Sequence, residues 1–173
     1  MVSHIMHMNQ ALRMSPGAIR TLTPGERDLA REVFGESLDA GKVAIFALPV
    51  WNRAFVTGAR LIFWPAASAC RDFSTASLHL RSVFVHELTH VWQAQSGVNL
   101  ILAKLRAGDG HRAYAYDLSA PCEFAGLNIE QQAMIVQHAF LAHHGAETPF
   151  ETRVYSEVLA TWPGSNFTNP HQV

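Results

Sequence analysis

Between Thr75 and Ser96 the chain carries neither glycine nor proline, and inside that span lies Val83-Phe84-Val85-His86-Glu87-Leu88-Thr89-His90-Val91-Trp92. The stretch reads as one helix, running from about Ser77 to Ser96 with Gly97 as its stop. Val83, Phe84, Val85, Leu88, Val91 and Trp92 cover nearly every side of it, so the helix is expected to be central and buried. Two histidines and a glutamate in the most apolar part of such a helix are costly unless something satisfies them. His86 and His90 stand four apart and project from one face, the spacing at which two neutral imidazoles hold a single zinc ion. Glu87 then sits beside the open coordination position as general base. The alternative is a buried helix whose polar groups bond to neighbouring backbone.

Catalytic zinc usually keeps three protein ligands. Gln95, Ser96, Gly97 and Val98 follow the motif where a third histidine at short spacing would stand, which argues against the metzincin type. Glu130, in Leu127-Asn128-Ile129-Glu130-Gln131-Gln132-Ala133-Met134-Ile135-Val136, is the next candidate. Asn128 can cap that helix, and Ile129, Ala133, Val136 and Phe140 form an apolar stripe. Glu130 in the first turn either complements the helix dipole or reaches the zinc. Glu123, His111, Asp117 and His138 are its rivals. Tyr114 and Tyr116 are candidate donors to an oxyanion, with packing and a surface hydroxyl as their plainer role.

The rest of the chain suits one domain with one core. Its 173 residues carry a formal net charge of −1 without a basic patch, which argues against nucleic acid as partner. No apolar run approaches membrane-spanning length. Residues 1–15, with an odd Met and His content, read as a flexible leader in which His4 and His7 are a minor metal-capture alternative. Residues 16–165 read as the domain and 166–173 as a loose tail. Without a secretory signal, Cys70 and Cys122 read as reduced thiols in a protein made in the cytoplasm. Export by a route that uses no cleaved signal stays open.

Thr23-Pro24-Gly25-Glu26 is a capping box that predicts a helix to about Ser37. Val43–Leu48 predicts a strand stopped by Pro49. Ala54–Val56 and Arg60–Trp64 predict a hairpin across Gly58. A short helix is expected over Val98–Arg106, then a loop-rich part, then the Glu130 helix ending near His144. Thr148-Pro149-Phe150-Glu151 is a second capping-box pattern, predicting a last helix to about Thr161. The class is therefore α+β: a small antiparallel sheet on a mainly helical, minimal zincin-like core. One arm of the hairpin could present an edge to an extended peptide, or the sheet could simply roof the core.

A His-Glu-x-x-His helix followed by a second helix supplying Glu resembles the gluzincins, the thermolysin-like clan of zinc peptidases. More closely, Phe84–Gln93, Tyr114-Ala115-Tyr116-Asp117-Leu118 and Leu127–Ala133 are similar to small proteobacterial proteins called vgr related, over roughly Leu22 to Gly145. The gluzincin resemblance implies zinc on His86, His90 and Glu130, Glu87 as base, and a peptide or protein substrate. The vgr-related resemblance implies a type VI secretion spike protein as partner, with a non-catalytic, zinc-stabilised accessory domain as the alternative to a peptidase. Two departures stand out. Glu130 lies about twice as far beyond the second histidine as in thermolysin-like enzymes. Met134 also stands where they carry an aspartate that holds the first histidine, so the outer partner of a ligand histidine is expected from Asp117, Gln131 or a backbone carbonyl.

Overall fold

The computed structural model describes residues 13–108 and 110–164. The leader expected over residues 1–15 lies outside them as far as residue 12, His4 and His7 included, and so does the tail expected over 166–173. Met14 is buried, and its amide donates to the Ala69 carbonyl at 2.8 Å.

Thr23 opens α1 (Pro24–Phe34) with the capping box that the sequence predicts. Its hydroxyl accepts from the Glu26 amide at 3.1 Å, and Glu26 accepts from the Thr23 amide at 2.8 Å. The final turn tightens into a 3₁₀ segment, Gly35–Ser37. Glu26 is fully buried. It also takes two hydrogen bonds from Arg20 and one from the Phe73 amide, so one carboxylate joins three segments of chain.

The sheet comprises β1 (Ile19–Thr21), β2 (Ala44–Leu48), β3 (Phe55–Thr57) and β4 (Leu61–Pro65), in the order β1-β2-β4-β3. β3 and β4 form the expected antiparallel hairpin, with Gly58 between them at φ 60°. β1, which the sequence reading omits, pairs antiparallel with β2. The sheet is mixed rather than antiparallel throughout, because β2 and β4 run parallel, Ala44 beside Leu61 and Leu48 beside Pro65. The chain after Pro49 passes outward, lays β3 on the edge and returns with β4 alongside β2. Local patterning specifies the hairpin but not which arm docks, and so not this pairing. Alternation turns Ile45, Ala47, Ile62 and Trp64 inward.

α2 (Leu78–Gln95) is buried along its middle from Phe84 to Val91, as its all-round apolar pattern requires. Phe84 stacks on Phe73 at 4.9 Å between centroids, and Trp64 lies against both rings. α3 (Leu100–Ala107) follows, capped by Asn99. α4 (His111–Tyr114) is a single turn inside the stretch read as loop. α5 (Ile129–His143) starts with a capping box of Asn128 and Gln131 and packs along α2. α6 (Thr152–Val158) is shorter than expected, and no capping box begins it. Glu151 stands at its N-cap without a side-chain bond, and the Thr148 hydroxyl, three residues earlier, donates to the Phe150 carbonyl at 2.8 Å.

Trp162 closes the core from the C-terminal side. Its indole donates to the Val33 carbonyl at 2.6 Å, and its ring packs on Phe34 and Trp92. Gly164 is needed there, since a Cβ would come within 1.9 Å of the Val33 oxygen. The α+β class is the one the sequence predicts, and it sets α5 along α2, which packs against the sheet edge that carries β3.

Candidate metal centre

Three buried side chains from these two helices meet at one point. His86 Nε2 lies 3.5 Å and His90 Nε2 3.4 Å from the same oxygen, Glu130 Oε2. The imidazole rings are 4.9 Å apart and nearly perpendicular, which aims two lone pairs from different directions. All three donor atoms lie within 4.8 Å of one another, and theirs is the only such group of three among the described residues. Two imidazole nitrogens and a carboxylate oxygen form a donor set suited to zinc.

The hydrogen bonding shows what the group lacks. His86 Nδ1 and Glu87 Oε2 are buried without a hydrogen-bond partner. His90 Nδ1 has one, Gln93 Oε1 at 2.8 Å. Glu130 Oε1 accepts from Lys104 Nζ at 2.5 Å, and Lys104 also reaches the Tyr114 hydroxyl at 3.1 Å. Burial works to raise the Glu130 carboxyl, but hydrogen bonds from His86, His90 and Lys104 outweigh it and hold the group well below the usual carboxylate range. Glu87 goes the other way. Burial raises it, and the neighbouring imidazoles offset this only in part. Burial lowers the His90 value, yet the bond to Glu130 and the charge of Glu87 raise it overall.

The group lies at the floor of a cavity of about 720 Å³. One wall is β3 with its flanks, Ala54 to Gly58; the other is α3, through Leu100, Ile101, Lys104 and Leu105. β3 ends the sheet, so it faces this space as an edge strand. Tyr114 lines the cavity, its ring 6.3 Å from that of His86. Tyr116 does not line it. Its hydroxyl lies 2.5 Å from His138 Nδ1 and 3.0 Å from the Tyr155 hydroxyl, and burial together with Tyr155 raises its pKa.

The other candidates stand apart. Glu123 and His111 are exposed, and Asp117 is exposed with its carboxylate on the Ser119 amide. The expected outer partner for a histidine of this group is neither Asp117 nor Gln131, whose side chain bonds the Asn128 amide and the Ala115 carbonyl. It is Gln93. Neither Gln93 nor Lys104 is among the residues that the sequence motifs single out. A usable signal for Gln93 was present, because it is a polar residue on a helix that is apolar all round. Lys104 carried none, being one basic residue near the end of a short helix.

Fold and site together define an α+β domain with a buried His-Glu-x-x-His helix and a glutamate from a second helix, grouped where a metal ion can be held. No protein-family model matches the sequence. Among curated proteins, the type VI secretion system spike protein VgrG2b of Pseudomonas aeruginosa is 32% identical over 156 residues. The match takes in 83% of this chain but spans only 15% of that protein's length. Among solved structures, the effector domain of Pseudomonas aeruginosa VgrG2b superposes with a TM-score of 0.63 at 30% identity, covering 88% of this chain and 87% of that domain. The chain belongs to the family of that effector domain, in agreement with the vgr-related resemblance. No helix of the described residues is long and apolar enough to cross a membrane.

Proposed function

We propose that this domain is a zinc-dependent peptidase that acts as an effector in association with a type VI secretion spike protein. The observation that carries this reading is the convergence of His86 Nε2, His90 Nε2 and Glu130 Oε2 at the floor of a cavity that Glu87 also lines. The donors fit zinc, and the unpartnered Glu87 Oε2 fits a group that must handle a proton. His86, His90 and Glu130 would hold the ion. When bound, zinc supplies a Lewis acid that polarises a carbonyl and lowers the pKa of water.

The protein's own groups supply the rest. Glu87, its carboxyl raised by burial, takes a proton from the attacking water and passes it to the leaving amine. Tyr114 donates a hydrogen bond from its hydroxyl to the oxyanion, since Lys104 occupies the hydroxyl's acceptor side. An extended peptide pairs with the free edge of β3 and lies across the cavity floor. Roles for the relative's spike protein, and export with it, follow for this chain as parts of the same proposal.

A second reading is a zinc-stabilised accessory domain of the spike without turnover. The kinship with a type VI secretion spike protein favours this placement on the spike. One experiment separates the two. Purified wild type and Glu87→Gln are assayed for zinc content and for cleavage of an unfolded protein and a peptide library. The peptidase reading expects one zinc per chain in both, and cleavage by wild type at least about a hundredfold above the variant. Zinc in both with no cleavage by either selects the accessory domain. Equal cleavage by both removes Glu87 from the mechanism.

A further inference from the structure

A chain of hydrogen bonds with one fixed polarity runs into His90. Gln132 donates from Nε2 to the carbonyls of Phe124 and Leu127, at 3.0 and 3.2 Å. That turns Gln132 Oε1 toward Gln93, which donates to it from Nε2 at 2.9 Å and to the Ile129 carbonyl at 3.0 Å. Both acceptors can only receive, so the amide of Gln93 has a single orientation and its Oε1 faces His90 Nδ1 at 2.8 Å. An amide oxygen cannot donate. The proton of the neutral His90 ring is therefore held on Nδ1, and when a metal ion replaces any second proton the Nε2 lone pair is the one available to it; Nε2 is the atom that faces Glu130 Oε2.

The same amide ties the two ligand-bearing helices together. Gln93 is on α2, three residues beyond His90. Its bond to Ile129 lands on α5 one residue before Glu130. Gln93 is 1% exposed, so water does not compete for these bonds. His86 has no equivalent, since its Nδ1 is without a partner.

We propose that Gln93 is a positioning residue of the metal site. It selects the His90 tautomer and holds Glu130 at ligand distance by bonding to the backbone beside it. This replaces the carboxylate partner of a ligand histidine with a neutral amide drawn from the ligand's own helix. The proposal rests on the metal reading above.

The test is a zinc titration by chelator competition on wild type, Gln93→Met and Gln95→Met. Gln95 lies on the same helix but bonds Asp39 and Ala59, away from the site. Partners of this kind typically contribute 10–100-fold in metal affinity. The expected result is zinc binding weakened by roughly 10–100-fold in Gln93→Met and unchanged in Gln95→Met. The second readout is ¹⁵N-resolved NMR of zinc-loaded wild type. A His90 Nδ1 proton in slow exchange with solvent is expected there, and this decides the matter if Gln93→Met does not fold. Equal affinity in wild type and Gln93→Met overturns the proposal, as does a rapidly exchanging Nδ1 proton. Wild type that takes up no zinc overturns the metal reading itself, and the proposal with it.

Discussion

Lys104 Nζ lies 2.5 Å from Glu130 Oε1, while Oε2 of the same carboxylate faces both imidazoles. One oxygen is therefore committed to a cation of the protein and the other is directed at the candidate metal position. The two demands oppose each other. The ammonium group offsets the cost of burying Glu130, yet it repels a divalent ion a few ångströms away. Lys104→Met should destabilise the metal-free protein by about 1–2 kcal/mol, less than a fully buried pair because the lysine side chain keeps a third of its exposure. The same variant should bind zinc more tightly, by up to about tenfold, or ~1.4 kcal/mol. Thermal melts without metal and a zinc titration check the two halves. Weaker zinc binding would mean that the lysine organises the ligand rather than opposing the ion.

The two tyrosines separate cleanly by position. Tyr114 lines the cavity and Tyr116 is engaged with His138 and Tyr155. Removing an oxyanion donor typically costs a factor of about 10²–10³ in kcat. Tyr114→Phe should show a loss of that order with KM little changed. Tyr116→Phe should leave turnover intact and cost about 1 kcal/mol of stability through the lost hydrogen bonds. Steady-state kinetics on a cleaved peptide, with melts on the same preparations, is the comparison. A large kcat loss confined to Tyr116→Phe would reverse the assignment.

What was legible in the sequence was what short-range spacing encodes. His86 and His90 sit on one helix at an interval that geometry alone converts into a shared face, with Glu87 next to the first of them. The caps at Thr23 and Asn128 are local patterns that formed as written. The capping-box pattern at Thr148 did not form: the helix begins at Thr152 with Glu151 at its N-cap, and the Thr148 hydroxyl bonds a backbone carbonyl two residues on. The parallel pairing of β2 with β4 depends on where a hairpin docks, which no local pattern specifies. Lys104 and Gln93 were missed for a related reason. Each matters through a partner more than 20 residues away, Glu130 for one and Ile129 and Gln132 for the other.

Glu26 offers a stability test far from the metal. Its carboxylate is fully buried and accepts from two Arg20 nitrogens, the Thr23 amide and the Phe73 amide. Removing one partner of a buried, hydrogen-bonded pair leaves the other charge uncompensated, at a cost of about 3–5 kcal/mol. Arg20→Met should reach that range, because it strands a fully buried carboxylate; Glu26→Ala leaves an arginine that keeps some exposure but also frees the Thr23 and Phe73 amides, and should cost a similar amount. Replacing both with apolar residues should cost less than the sum of the single changes. Denaturant unfolding of the three variants measures this, and zinc affinity should stay at the wild-type value in any variant that folds. Additive losses would show that the two residues stabilise the fold independently.

The metal-free protein should also report its two carboxylates through the pH dependence of its stability. Glu130 is held below its ordinary value of 4.5, so the folded state binds that proton more weakly than the unfolded chain does. Its contribution is complete above the unfolded value and is lost progressively as pH falls below it. Glu87 is raised above the same ordinary value, so the folded state binds its proton more tightly. Its relative contribution is complete below the unfolded value and declines as pH rises through the folded one. The two slopes have opposite sign in adjacent windows. Glu130→Gln should flatten the acid limb of a plot of melting temperature against pH, whereas Glu87→Gln should flatten the decline on the alkaline side of about 4.5. Wild-type and variant curves that run parallel across both windows would mean that neither carboxyl is perturbed in the folded protein.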